Sequence, residues 1–274
     1  MTGPVDPRTR AVAARLWRGG EGSERQELLA VEEPLEIRVR LVGDVEDRRL
    51  SMTMRTPGDD AELAAGFLFT EGIVARRGQI VDVVCAEDHV RVDLAAGVRL
   101  PEAAPTRSFV MTSACGVCGR SSTQGLRAEP PGPLVAGRPK LGAATIPGLP
   151  AALLHAQATF AATGGIHAAG LFTAAGELRL LREDVGRHNA VDKVVGALLM
   201  AELLPAQDAV LLVSGRASFE LVQKALMAQI AVLAAVGAPS SLALELAQEA
   251  GMSLLGFVRE GRFTIYSGAE RITG

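Results

Sequence analysis

AVLLVSGRASFELVQKALMAQIAVLAAV, residues 209–236, decides the fold of this chain. AVLLVS is apolar almost throughout, the pattern of a strand covered on both faces. Residues 214–218 then turn the chain, with Gly215 permitting a tight bend and Ser218 able to cap the next helix. FELVQKALMAQ predicts that helix, and IAVLAAV reads as a second buried strand.

The pattern continues in both directions. Downstream, SSLALELAQEAG predicts a helix, and MSLLGFV with FTIYSG predict closing strands. Upstream, a helix over about 150–163 is stopped by Gly164 and Gly165. IHAAGLF and LRLLRED come next as strands around an AAGE turn, and Asp184 caps a helix over 186–204. Strand–helix alternation of this kind implies an α/β layered sheet. No internal repeat is visible.

The amino-terminal half reads differently. In PLEIRVRLV, Leu35, Ile37, Val39 and Leu41 face one way and Glu36, Arg38 and Arg40 the other, as in a half-buried strand. In RRLSMTMRT, Leu50, Met52 and Met54 alternate again, so the two predict an antiparallel hairpin. A helix begins at Asp59 or Asp60 and stops at Gly72, and short strands are expected over 80–85, 89–94 and 108–111. Cys85, alone in an apolar strand, is expected in the core. Four regions result: a disordered tail over 1–30, a β-rich region over 31–118, a mobile Gly/Pro-rich loop over 119–148, and the layered domain over 149–274.

The balance of residues excludes several function classes. With 48% hydrophobic residues in 274, the chain can bury a sizeable core without staples. A net charge of -3 argues against general nucleic-acid binding. Three cysteines, an odd number, do not make a secreted disulfide framework. The start lacks the apolar stretch of a signal peptide, and the run from Ile230 to Val236 is too short to span a bilayer. A cytoplasmic protein, with no membrane or nucleic-acid partner, is the expectation.

Four stretches carry residues suited to chemistry. TSACGVCGR, residues 112–120, places Cys115 and Cys118 in a glycine-flanked turn. Exposed amides and the nearby Arg120 would lower a thiol's pKa and make it reactive. A metal site shared between two chains and a disulfide fit the same spacing. In LREDVGRHNAVDKVVG, Arg187 and His188 fall in a first helical turn, where free N–H groups favour an anion. The same stretch also fits a capped amphipathic helix burying Val191, Val194 and Val195. In VSGRASFELVQK, Ser214, Gly215 and Arg216 sit where a strand passes into a helix, a common ligand position. In GFVREGRFTIYSG, Arg259 and Arg262 flank Gly261 in a turn, either as a cationic clamp or as solvated side chains. His167 in GGIHAAGLF lacks the Glu that zinc deaminases need two residues after their histidine.

Taken together, SACGVCG, GGIHAAGLF, EDVGRHNAVDK, VSGRASFELVQKA, APSSLALELA and GFVREGRFTIYSG resemble the FdhD family, the formate dehydrogenase accessory sulfurtransferases. The likeness runs from about Pro34 to Ile272. It implies a fold similar to cytidine deaminases with an added amino-terminal β-rich region, and a homodimer. It also implies a sulfurtransferase. A cysteine desulfurase would load a persulfide on Cys115, assisted by Cys118. The sulfur would pass to a bis-molybdopterin guanine dinucleotide cofactor of molybdenum or tungsten, serving formate dehydrogenase. The family's nucleotide-binding stretch falls on Phe257, Val258, Arg259, Glu260, Gly261 and Arg262. A GDP or GMP moiety is then expected to bind alone. Arg187, His188, Ser214, Gly215, Arg216 and Lys224 are further candidates to line that site.

Overall fold

The computed structural model describes residues 6–101, 110–111 and 128–274. Strands β1 (Thr9–Arg18) and β2 (Glu21–Ala30) form an antiparallel ribbon, paired residue for residue from Thr9↔Ala30 to Arg18↔Glu21. The tail expected over 1–30 is therefore a hairpin from residue 9 onward. Its signal was hidden because Trp17, Leu28 and Leu29 stay exposed, so no buried face disciplines the pattern.

A five-stranded sheet comes next, built from β3 (Glu33–Leu41), β4 (Arg48–Arg55), β5 (Ile80–Cys85), β6 (His89–Leu94) and β7 (Val110–Met111), with helix α1 (Asp60–Thr70) inserted after β4. Its order is β5-β6-β3-β4-β7. Leu35, Ile37 and Val39 of β3 are buried as their alternation requires. The phase of β4 is the reverse of the expectation. Leu35 pairs with Thr53 and Ile37 with Ser51, so Ser51, Thr53 and Arg55 share the buried face while Met52 and Met54 lie on the other. The polar face goes inside because it has partners there: Thr53 bonds Asn189, and Arg55 bonds Asp60 at 3.0 Å. Cys85, on the edge strand β5, is exposed rather than buried.

The remaining elements are β8 (Leu141–Gly142), α2 (Leu149–Ala156), α3 (Ala158–Thr163), β9 (His167–Thr173), β10 (Leu178–Asp184), α4 (Arg187–Met200), β11 (Ala209–Val213), α5 (Phe219–Met227), β12 (Val232–Ala235), α6 (Ser241–Glu249), β13 (Ser253–Arg259), β14 (Arg262–Ser267) and β15 (Ile272–Thr273). They build a six-stranded sheet of order β10-β9-β11-β12-β13-β14. Strands β11, β12 and β13 run parallel, joined by α5 and α6, whereas β9 and β14 are antiparallel to their neighbours. Alternate residues of the apolar strands feed two cores. Leu211, Val213, Leu233 and Ala235 face α4 and α5, while Val210, Leu212, Val232 and Ala234 pack with Leu149 and Leu153 of α2. An α+β protein of stacked layers results, the mixed class that the strand–helix alternation implied. Among the described residues no helix is long and apolar enough to cross a membrane.

Part of the segment expected to be a mobile loop is anchored. Residues 119–127 lie outside the described residues, but Leu141 and Ile146 are buried and β8 pairs with β15 in parallel. Arg271, itself buried, donates to the carbonyls of Arg138 (2.7 Å), Val135 (3.1 Å) and Gly251 (2.7 Å). The carboxy terminus thus pins a stretch whose own composition gives no sign of order.

Helices α1 and α4 hold the two sheets together through glycine. A Cβ on Gly66 would lie 1.9 Å from the Asp192 carbonyl oxygen, and one on Gly196 would lie 1.8 Å from that of Glu62. Backbone meets backbone, so no side chain can yield. Gly66→Ala and Gly196→Ala are each expected to lose about 2–3 kcal/mol or more in urea unfolding. Gly78→Ala, with nothing within 4 Å of its Cβ, should stay within about 0.5 kcal/mol.

Candidate functional site

The loops after the parallel strands are bonded to one another by their main chains. Val236 N donates to Val213 O (3.1 Å), Gly237 N to Gly215 O (2.9 Å), and Phe257 N to Gly237 O (3.0 Å). Gly237 lies against Arg216, where a Cβ would come within 3.0 Å of Arg216 Cγ. Phe257 leaves the ladder at a bulge between Gly256 and Arg259, with φ at 51°. The ends of β11, β12 and β13 therefore form one rigid rim, at the carboxyl ends of the strands where ligands of open α/β sheets bind.

Strand β9 supplies the next wall. Ser214 Oγ accepts from Ala168 N at 2.9 Å and lies 3.4 Å from His167 Nδ1. A Cβ on Gly215 would sit 3.5 Å from the His167 ring and 4.0 Å from Arg187 Cδ, so these three residues converge. Arg187 opens α4, and its buried Nε has no hydrogen-bond partner among the described residues. Burial, then the charge of Arg187, pushes the His167 imidazole below its usual pKa and keeps it neutral near pH 7. Arg216 is exposed at the entry to α5. Arg187 and Arg216 thus stand near the Ser214–Gly215 turn, by the amino termini of α4 and α5, a grouping that suits a phosphate.

His188 does different work. It is buried, with Nε2 3.3 Å from Ser218 Oγ and 3.8 Å from the Glu220 carboxylate. The nearby His188 ring, above all, holds the Glu220 carboxyl down to about 2. This contact ties the start of α4 to the start of α5.

Lys224, expected to bind cofactor, is instead in the core. Its ammonium lies 2.8 Å from both oxygens of Asp192 and 3.0 Å from Thr70 Oγ1. A second buried pair stands beside it: Lys193 Nζ lies 2.8 Å from Asp184, whose carboxylate also accepts from Thr56 N, Gly186 N and Asn189 Nδ2. Asp184, His188 and Asp192, spaced four residues apart in turn, make three separate contacts. Asp184 and Asp192 each neutralise a lysine, and His188 joins two helices.

The stretch from Phe257 to Arg262 is divided. Val258 is fully buried in the core beneath the sheet, so its side chain is out of reach of any ligand. Phe257 is exposed, with the Arg259 guanidinium 5.9 Å from its ring centre. Glu260 and Gly261 form the turn to Arg262, Gly261 at φ 73°. The rim joins Phe257 to the Arg216 loop through Gly237. Arg187, His188, Ser214, Gly215 and Arg216 are brought together; Lys224 is not. Cys115 and Cys118 lie outside the described residues.

One feature escaped the sequence. A cavity of about 510 Å³ opens beside Ser214 and His167, walled by Leu153, Gln157, Phe160 and Ile166. The expectation of one helix over 150–163 concealed it: the helix breaks at Gln157 (ψ 84°), and Glu183 accepts from Thr159 N and Phe160 N to start α3 afresh.

Comparison with known proteins agrees with this architecture. The model of a family described as the FdhD/NarQ family matches residues 30–273. A protein named sulfur carrier protein FdhD from Mycolicibacterium paratuberculosis is 49% identical, over 92% of this chain and 94% of its own length. Its namesake from Nocardia farcinica is 48% identical over 99% and 96%, and that from Sulfolobus acidocaldarius 39% over 96% and 98%. A crystal structure from Desulfotalea psychrophila, described as a formate dehydrogenase accessory protein, superposes with a TM-score of 0.78 at 28% identity, covering 97% of this chain and all of that one.

Lys224→Met should strand the Asp192 carboxylate and lower stability by about 3–5 kcal/mol, whereas Arg216→Ala should leave the melting temperature almost unchanged. The Glu220 carboxylate, ordinarily at 4.5 and held near 2, stabilises the fold above pH 4.5. That contribution, about 3 kcal/mol at most, is lost as pH falls from 4.5 through 2. Acid unfolding of Glu220→Gln, monitored by circular dichroism, should lack that part of the wild-type slope.

Proposed function

The chain belongs to the FdhD/NarQ family, and from that membership we propose that it is a sulfur carrier that matures the molybdenum or tungsten cofactor of a formate dehydrogenase. A cysteine desulfurase loads sulfane sulfur on Cys115 as a persulfide, with Cys118 assisting. The sulfur then passes to the metal centre of a bis-molybdopterin guanine dinucleotide, the substrate, held through its nucleotide ends. The working unit is a homodimer, and the acceptor of the finished cofactor is the catalytic subunit of formate dehydrogenase.

The observation that carries the cofactor half is the pair Arg187 and Arg216. Among the described residues no ion pair engages either, and the buried Arg187 Nε has no hydrogen-bond partner. A buried guanidinium nitrogen left unbonded is costly, so a site that keeps one is built for an incoming acceptor. The pyrophosphates of the dinucleotide supply that acceptor beside Ser214 and the amino termini of α4 and α5. Arg259, over the exposed Phe257, adds a cation and a ring face at the rim. Neutral His167 can donate one hydrogen bond without adding charge. The sulfur half rests on the SACGVCG motif and on relatives named sulfur carrier protein.

The test is intact-mass analysis after incubation with a cysteine desulfurase and cysteine. The protein should gain the mass of one sulfur atom, removable by dithiothreitol. Cys115→Ala should gain none, should fail to activate formate dehydrogenase, and should still bind GDP like the wild type. A Cys115→Ala, Cys118→Ala protein that still activates formate dehydrogenase would make this a cofactor chaperone instead.

A further inference from the structure

Two neighbouring residues at the start of α4 hold the loop before α5 on either side of Arg216. Arg187 reaches the Gly215 side, its Cδ 4.0 Å from where a Cβ on Gly215 would lie. His188 reaches the Ser218 side, its Nε2 3.3 Å from Ser218 Oγ and 3.8 Å from the Glu220 carboxylate. Between these points Ala217 is fully buried and fastened to the loop after β12. Its amide donates to Ala238 O at 3.2 Å, and its carbonyl accepts from Ser240 N at 3.0 Å. Of residues 214–218 only Arg216 is exposed.

Ser218 is diverted from its ordinary use by this contact. It is the N-cap of α5, in an extended conformation, where a serine hydroxyl usually accepts from the first free amides of the helix. Here it makes no such bond and lies against His188 instead. The helix forgoes a stabilising cap, so the contact it keeps has another use. His188 is 5% exposed, and it acts through what it holds rather than by meeting a ligand. What it holds is the far end of the loop that carries Arg216, while Arg187 belongs to its own helix. We infer that His188 is a positioning residue: by holding Ser218 and Glu220 it sets the separation of Arg187 and Arg216, and so favours an anion with two phosphoryl groups over one with a single group. Two cations already at a fixed spacing are bridged without a further cost of ordering, and the second contact of a bridging ligand is intramolecular. A single phosphate meets either arginine alone and gains little from the spacing. This rests on the reading that the site takes a pyrophosphate, and it adds what fixes the distance between its cations.

Calorimetric titration of the full chain with inorganic pyrophosphate and inorganic phosphate reads that spacing. His188→Ala should weaken pyrophosphate binding about tenfold or more and phosphate binding less than about threefold. His188→Gln places an amide group where Nε2 stood and should restore pyrophosphate affinity to within about threefold of wild type. With Arg216 gone there is no spacing left to set, so adding His188→Ala to Arg216→Ala should change pyrophosphate affinity less than about twofold. A histidine that only supported the fold would weaken both anions, and by as much without Arg216 as with it. Ser218→Ala removes the other end of the contact without removing a capping bond, and it takes the place of His188→Ala in the same comparison if that variant fails to fold. Equal losses in the two backgrounds, or a His188→Ala protein that holds pyrophosphate within about twofold of wild type, overturn the positioning role and leave the anion site standing. Wild-type protein that binds no pyrophosphate overturns the anion reading itself, and this role with it.

Discussion

Two helices touch through their backbones at Gly66 and Gly196, and the rest of the molecule is arranged around that contact. With α1 and α4 this close, polar groups from the first sheet reach those of the second across a single layer. Thr53 and Thr56, from the end of β4, meet Asn189, Asp184 and Lys193; Thr70 of α1 meets Asp192 and Lys224. Each buried charge is paired and further hydrogen-bonded, the condition under which burial is tolerated. A wider separation would leave two aspartates and two lysines without their neutral partners.

The same packing assigns the charged residues of α4 to two tasks. Those on the turns facing α1 and α5 are spent on the interior. Arg187, at the first position, takes no part in that network, and its buried Nε bonds no described residue. Structural cations and ligand cations differ here in one respect, whether a carboxylate already holds them. By that criterion Lys193 and Lys224 belong to the fold, while no carboxylate among the described residues holds Arg187 or Arg216.

Much of this was legible in the sequence because burial imposes a period. The uninterrupted apolar run over 209–213, and the alternation of Leu35, Ile37 and Val39, led directly to a central and a half-buried strand. What could not be read depended on distant partners. The inward phase of β4 is set by Asn189, far along the chain, and no local rule favours Thr over Met facing inward. Lys224 reads as a ligand residue in the sequence, and only the fold brings Asp192, on another helix, beside it. Order in the Gly/Pro-rich segment comes from Arg271, more than a hundred residues away.

The β1–β2 ribbon has a consequence of an optical kind. The chain contains one tryptophan, Trp17, and it sits near the tip of this ribbon, 67% exposed. Its indole is already bathed in water, so its emission colour is nearly blind to the melting of the layered core. The intrinsic signal of this protein belongs instead to the arm, and a shift toward blue would register something settling upon that arm.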